Sequence, residues 1–261
     1  MSALNDAVDF YNKLSSRYHL VYPDWKATIT AQAEILSRLI RATIGGAGRR
    51  LFDCACGIGT QAIGLASNGY DVTAMDISRR AVARARREAR KWDLRTIQFT
   101  VGDMRRMPDG LAKTFDVVIC CDNPLAHMLE VQELKNSIQG MYSSLREGGL
   151  LLLSSRDYES AVVERPTCSP VRHRLVQNRE TIVFQLWDWE EDEPIYNNMH
   201  FIIQKGRYGW KTHQTAGRMR AYTQSEISAA VREAGFEKID WKNPDQSGYF
   251  QPVLMAVRPN R

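Results

Sequence analysis

A chain of 261 residues is long enough for one large α/β domain, or for a domain carrying an insertion. Its apolar content of 44% and charged content of 25% are those of a globular protein; no apolar run reaches transmembrane length, and Met1 to Phe10 lack the basic-then-apolar pattern of a secretory signal, so a cytoplasmic location is expected. A net charge of +5 is too small and too dispersed for a dedicated nucleic-acid binder, and the basic stripe Arg80, Arg84, Arg87 and Lys91, with Ala81, Val82, Ala85 and Ala89 opposite, reads as a solvated helix face, RNA contact being the alternative.

Residues 4–22 set Val8, Tyr11, Leu14 and Tyr18 at helical spacing. The aromatic stretch from Tyr18 to Trp25, broken by Pro23, then reads as a flap beside a site. A second helix follows over 26–42, so that residues 1–45 form a helical cap. From residue 50 strands and helices alternate: strand 50–56, helix 61–68, strand 70–75, helix 78–92, strands 97–101 and 115–121, helix 132–145 capped by Glu147-Gly148-Gly149, and strand 150–154. Strands that are apolar throughout and alternate with helices imply a parallel sheet covered on both faces. Three extended runs come next, 173–188, 195–205 and 210–221, with turns at 190–194 and 206–209. They predict an antiparallel insertion over 156–222, a candidate lid. A helix at 224–234 and strands at 236–241 and 251–257 close the chain. The expected architecture is a mostly parallel seven-stranded sheet with helices on both faces, built from 46–155 and 223–261.

The loop Gly57-Ile58-Gly59 joins the first strand of this pattern to its helix. Its glycines let a ligand approach the backbone where a Cβ would collide, and the helix that follows aims unpaired N–H groups at the same space. As Gly57-x-Gly59-x-x-Ala62 the loop fits the dinucleotide fingerprint, a weak signal alone. Asp53 ahead of it suits a cofactor carrying a sulfonium and an ammonium group; a pyrophosphate would be repelled, which disfavours a nicotinamide-dependent reductase. Cys54 and Ala55 are small and leave room. Asp76 ends the second strand, before Ile77, where an acid accepts from ribose hydroxyls in either kind of cofactor. Asp103 can bond an adenine amino group while Met104 packs on the ring, the competing reading of Asp103 being a turn or cap residue. Cys121 at the fourth strand end, and Tyr18 and Trp25 from the flap, complete the expected cofactor pocket.

In these residues, over roughly 26–155 and 223–258, the chain resembles the class I S-adenosyl-L-methionine (SAM)-dependent methyltransferases. The resemblance is carried by Asp53-Cys54-Ala55-Cys56-Gly57-Ile58-Gly59-Thr60, Asp76, Gly102-Asp103-Met104 and Leu145-Arg146-Glu147-Gly148-Gly149. Within the class the chain looks most like the glycine N-methyltransferase type, whose fourth strand and following loop are similar to 115–127, and whose stretch after the fifth strand is similar to Ser155-Arg156-Asp157-Tyr158. It departs at Asp122, where that group usually has glycine, and at Pro124; the N-terminal segment that contacts neighbouring subunits in glycine-specific members is not recognisable. The resemblance implies a Rossmann-like fold and SAM as cofactor, with S-adenosyl-L-homocysteine as its product. It also implies that Asn123 lies near the methyl-transfer centre and that Arg156 holds a substrate carboxylate. A homo-oligomer is compatible with it.

Asn123 can accept from a substrate N–H and so orient the lone pair, or it is simply a turn residue before Pro124. Arg156 offers a fork for a planar acceptor, or makes a surface ion pair. His127 is a candidate base, although a histidine at a helix start is more often packed. Tyr22, Tyr158, Trp187 and His200 are candidates for the substrate pocket, against the plainer reading of sheet aromatics as core. Cys54, Cys56, Cys120 and Cys121 read as buried reduced thiols, and no metal-ligand spacing is present. The expected reaction is SN2 methyl transfer to nitrogen of a small molecule (an amine, amino acid or heterocycle), driven by positioning. Methylation of oxygen or carbon on an aromatic metabolite is one alternative, RNA modification another.

Overall fold

A computed structural model describes residues 3–46, 48–108 and 110–260. Residues 1, 2, 47 and 261, at the ends of the expected cap and core, and residue 109 lie outside them. Helix α1 (Ala3–Leu14), a short 3-10 turn (Tyr18–Val21) and helix α2 (Trp25–Ile44) come first. Asp24 caps α2, its carboxylate accepting from the N–H groups of Lys26 and Ala27. Then follow β1 (Arg50–Asp53), α3 (Thr60–Ser67), β2 (Asp71–Asp76), α4 (Arg79–Lys91), β3 (Gln98–Val101) and β4 (Phe115–Cys120). A second 3-10 turn (Pro124–His127) leads to α5 (Val131–Ser144), β5 (Leu145–Ser154) and α6 (Ala161–Glu164). Four further strands come next: β6 (Arg172–Val176), β7 (Arg179–Trp189), β8 (Ile195–Gly206) and β9 (Gly209–Arg220). The chain closes with α7 (Gln224–Glu233), β10 (Glu237–Lys242), α8 (Pro244–Ser247) and β11 (Val253–Val257).

Seven strands form one sheet in the order β10-β11-β5-β4-β1-β2-β3. From β3 to β5 every pairing is parallel; β11 runs antiparallel to both β5 and β10. The chain winds outward from β1 in one direction and from β4 in the other. The loops that leave these two strands therefore diverge and open a crevice at their C-terminal ends. Both faces are covered, as the continuous apolar runs require: Ile29, Leu36, Ile40 and Ile63 pack on one side, and Ile138, Met141, Ile227 and Val231 on the other. Strands β6–β9 form a separate antiparallel sheet whose buried face, with Val183, Tyr196, Ile202 and Met219, packs with Phe10 and Leu14 of α1. Among the described residues, no helix is long and apolar enough to cross a membrane.

Four expectations need correction. The first strand ends at Asp53, not at Cys56; Cys54 to Cys56 already turn, yet the N–H groups of Cys54 and Cys56 still bond the carbonyls of Ile119 and Met75, which keeps them buried and strand-like in pattern. Helix α5 has no glycine cap. The chain passes from Ser144 directly into β5, and Gly148 (φ +71°) sits at an irregularity near the start of the β4–β5 pairing. The run 173–188 is two strands folded at Gln177-Asn178, both left-handed (φ +51° and +59°), a two-residue hairpin turn. Arg84 is not on a solvated face: it is 7% exposed, donates to the Ser15 carbonyl and lies 5.3 Å from the Trp25 ring. Arg80 and Arg87 are exposed.

Candidate active site

The crevice is built from the loop after β1. Gly57 (φ +53°) and Gly59 (φ +94°) are both left-handed, but for different neighbours. A Cβ on Gly59 would stand 3.0 Å from Ile63 and 3.2 Å from Ala85, so that glycine serves helix packing. A Cβ on Gly57 would meet only the Tyr18 ring, at 3.8 Å, so Gly57 faces open space that Tyr18 covers. The Asp76 carboxylate accepts from Gly57 N–H and from Ser78 N–H, each at 2.8 Å, and so ties the loops after β1 and β2 together. Burial raises its pKa to about 6, even though both hydrogen bonds pull the other way.

Asp53 is 1% exposed. One oxygen takes Ala55 N–H at 3.3 Å and the other has no partner. Burial, assisted by the charges of Asp76 and Asp122, pushes its pKa to about 8. A buried carboxylate in this state is stabilised by a cation. The residues therefore fit a positively charged cofactor such as the SAM that the sequence pattern implies.

A narrow inner cavity runs along these loops. Tyr18, Ala55, Gly57, Asp76, Ile77, Asp103, Met104, Cys121 and His127 line it together. Gly59, Asp53 and Trp25 do not. Asp53 is held behind the loop through Ala55, and the Trp25 indole donates to Thr60 Oγ1 at 2.9 Å within the core. Asp103 reaches the cavity, but Arg105 holds its carboxylate through Nε and Nη2 at 2.8–3.1 Å and through its backbone N–H at 3.0 Å. An adenine amino group has only the remaining lone pair to bond. His127 is packed: its Nε2 meets Tyr11 Oη at 3.0 Å, and burial, with the charge of Arg105, lowers its pKa to about 4. It is neutral at pH 7 and too weakly basic to serve as the expected base.

A wider outer cavity, about 2080 Å³ and open to solvent, lies between the N-terminal turn and the four-stranded sheet. Tyr22, Asn123, Arg156 and His200 line it, as expected of substrate residues. Tyr158 and Trp187 stand one layer back. The Tyr158 hydroxyl accepts from Asn123 Nδ2 at 2.8 Å and meets Tyr196 Oη at 2.7 Å, while the Trp187 ring supports the Arg156 guanidinium at 4.6 Å. Asn123 Oδ1 accepts from Arg156 N–H at 3.1 Å and Ser155 Oγ at 3.2 Å. Both lone pairs of its carbonyl oxygen are thus engaged, so that it braces the loops after β4 and β5 and has no free lone pair for a substrate N–H. Arg156 makes no surface ion pair among the described residues. Its Nη2 donates to Gln185 at 3.0 Å, and its Nη1 is buried without a partner.

Sequence reasoning missed the residue between the cavities. Asp122, together with Tyr11 and Tyr18, lines both. Its carboxylate accepts from Tyr249 Oη at 2.7 Å and from Tyr22 Oη at 3.0 Å. Both Asp122 (φ +71°) and Asn123 (φ +70°) hold left-handed backbone, a strained pair where the chain leaves β4. In the sequence Asp122 stands out only as an acid where glycine is usual.

Comparison with known proteins agrees with this geometry. A methyltransferase-domain family model matches residues 51–149. A putative methyltransferase of Geobacillus sp. (strain WCH70) is 36% identical over 197 residues, which are 74% of this chain and 75% of that protein. The glycine/sarcosine N-methyltransferase of Parasynechococcus marenigrum (strain WH8102) is 33% identical over 138 residues, 52% of this chain and 47% of that one. The chain spans about half the length of the glycine/sarcosine N-methyltransferases it matches. Among solved structures, a SAM-bound amino pentose methyltransferase from Micromonospora echinaspora superposes with a TM-score of 0.74 at 22% identity, covering 93% of this chain and 95% of the other. A sugar N-methyltransferase from Streptoalloteichus sp. gives 0.74 at 20% identity, covering 93% of each. At these identities the structures attest the fold.

Proposed function

Since the chain belongs to the class I SAM-dependent methyltransferases, we propose that it methylates a nitrogen of a small molecule bound in the outer cavity. The observation that carries this reading is that the two cavities share Tyr11, Tyr18 and Asp122, so a substrate reaching inward arrives at a half-buried carboxylate. The glycine/sarcosine N-methyltransferases to which the chain is similar act on nitrogen, which supports the same reading. When bound, SAM supplies a methyl group on a positively charged sulfur; the nitrogen lone pair forms the new N–C bond, and the C–S electron pair stays on sulfur as a neutral thioether.

The residues of the chain act by placement. With SAM bound, Asp76 would offer its carboxylate to the ribose hydroxyls at the end of β2, and Ile77, Asp103 and Met104 would hold the adenine. Asp53, behind the glycine loop, would balance the positive charge of bound SAM. Tyr18 closes over Gly57 and excludes water from the reacting groups. In the outer cavity Arg156 offers a free N–H to an oxygen of the substrate, and the sheet over 156–222 forms the far wall as a lid. Near-attack positioning of this kind accounts for several kcal/mol of barrier reduction, on the order of 7–11 kcal/mol at best. Its buried thiols suit a cytoplasmic enzyme.

Transfer of label from radioactive SAM to a panel of primary and secondary amines, run beside alcohols of the same skeleton, tests the proposal. Label is expected in amines and not in the matched alcohols. Transfer to the alcohols alone would refute it.

A further inference from the structure

We propose that Asp122 holds the acceptor nitrogen as an ammonium ion and takes its proton before methylation, and that the substrate is a hydroxylated amine whose far end is read by Arg156, Asn198 and His200. The inference rests on the nitrogen reading given above and goes beyond it by naming the base and the substrate class.

Three geometric facts support the role of Asp122. It borders both cavities, where the reacting groups must meet. Each carboxylate oxygen has one tyrosine donor, from Tyr249 or Tyr22, which fixes the group and leaves further lone pairs free. Among the described residues no lysine or arginine pairs with it. The titratable groups that surround it are Tyr11 and Tyr18 from the N-terminal segment, Tyr22, Tyr249, Cys121, and the acids Asp53 and Asp76 at the ends of β1 and β2. All are neutral or anionic; Arg156, Arg172 and Asp157 line the outer cavity further along. Burial raises the Asp122 pKa, against the hydrogen bonds from Tyr249, Gln61 and Tyr22. A carboxylate so placed gains from a cationic ligand and is positioned to accept its proton. The left-handed backbone at 122 would suit glycine without strain, so an aspartate there carries a conformational cost that its charge must offset.

The far end of the substrate is written in unpaired polar atoms. Arg156 Nη1, Asn198 Oδ1 and His200 Nδ1 are all buried without partners, and all three residues line the outer cavity. Asn198 is 1% exposed and His200 5%. Arg156 needs an acceptor, whereas Asn198 Oδ1 needs a donor. A hydroxyl answers both, whereas a carboxylate answers only Arg156. Leaving such groups unpaired costs about 1–3 kcal/mol each, which a polyhydroxylated ligand recovers.

In the proton step one N–H bond of the ammonium breaks, its electron pair stays on nitrogen, and an O–H bond forms on Asp122. The new N–C bond then replaces that N–H bond. The proton leaves Asp122 for water through the open outer cavity.

The test compares wild type with Asp122→Asn and Asp122→Gly, both of which tolerate left-handed backbone, with thermal unfolding as the check that each variant folds. Calorimetric titration of D-glucosamine, glycine and D-glucose into enzyme holding S-adenosyl-L-homocysteine reads binding. Wild type is expected to bind glucosamine at least tenfold more tightly than either glycine or glucose, and both variants to lose the preference over glucose. Equal or tighter binding of glucose or glycine by wild type overturns the proposal. For an amine that accepts label, kcat/KM of the variants is expected to fall tenfold per pH unit below the amine's own pKa and to approach wild type above it. A loss uniform across pH marks a structural role and overturns the assignment to Asp122, although the nitrogen reading stands. Label found on oxygen overturns the nitrogen reading itself.

Discussion

Replacing Asp53 with asparagine is expected to stabilise the cofactor-free protein at pH 8 while weakening its hold on SAM. The carboxyl of Asp53 is buried, with one oxygen unpartnered, and its folded-state pKa is raised from 3.8 to about 8. A raised carboxyl means that the folded chain binds the proton more tightly than the unfolded chain. The contribution of this group to stability is therefore fully present below about pH 4 and is lost as pH rises from about 4 to about 8. At about 1.4 kcal/mol for each tenfold change in proton affinity, ionised Asp53 costs at most about 5–6 kcal/mol at pH 8. Asparagine removes that cost but buries an unpartnered N–H, worth about 1–3 kcal/mol. The net gain at pH 8 is about 2–5 kcal/mol, and near pH 5 the two effects roughly cancel. For a chain of this size the gain raises Tm by about 5–15 °C. Calorimetric unfolding of the cofactor-free wild type and variant from pH 5 to 8.5 measures it, and titration with SAM is expected to show at least tenfold weaker binding by the variant. A variant destabilised equally at pH 5 and pH 8 would refute the reasoning.

Asp76→Ala removes the acceptor shared by Gly57 and Ser78 as well as the carboxylate offered to the ribose; loss of charged hydrogen bonds at about 1.5–3 kcal/mol each predicts SAM affinity lower by about a hundredfold. Unchanged affinity in a calorimetric titration would count against the ribose role. Arg156→Ala is expected to raise KM for the acceptor by about ten- to a hundredfold with SAM affinity unaltered, because one charged hydrogen bond is lost in the outer cavity only. Steady-state kinetics at saturating SAM decides it, and an unmoved KM removes Arg156 from the substrate site.

What the sequence made legible was local. The alternation of strands and helices, the glycine loop, and the acids at the ends of β1, β2 and β3 each occupy a few neighbouring positions, so spacing alone placed them. What it hid depends on distant partners. Asp122 acquires its meaning from Tyr22 and Tyr249, which lie 100 and 127 residues away in sequence. Asn123 is consumed as a brace by Tyr158, Ser155 and Arg156, partners supplied only once β4 and β5 lie side by side. Arg84 is basic and periodic with its exposed neighbours, yet the carbonyl of Ser15, just past α1, takes its guanidinium. The pairing of Asp103 with Arg105, two residues on, was within reach of the sequence, since that spacing lets a turn aspartate meet a following arginine. The hairpin between β6 and β7 escaped because Asn178 is its one turn-forming residue and no glycine marks it.

The position of the transferred methyl group tests the account most directly. Enzyme, SAM carrying a 13C-methyl group and a 15N-labelled amine acceptor identified in the panel are incubated together, and the product is examined by NMR. The account predicts a 13C-methyl signal coupled to 15N, bound to the acceptor nitrogen. A methyl carbon without that coupling, attached to oxygen or to carbon, would contradict it.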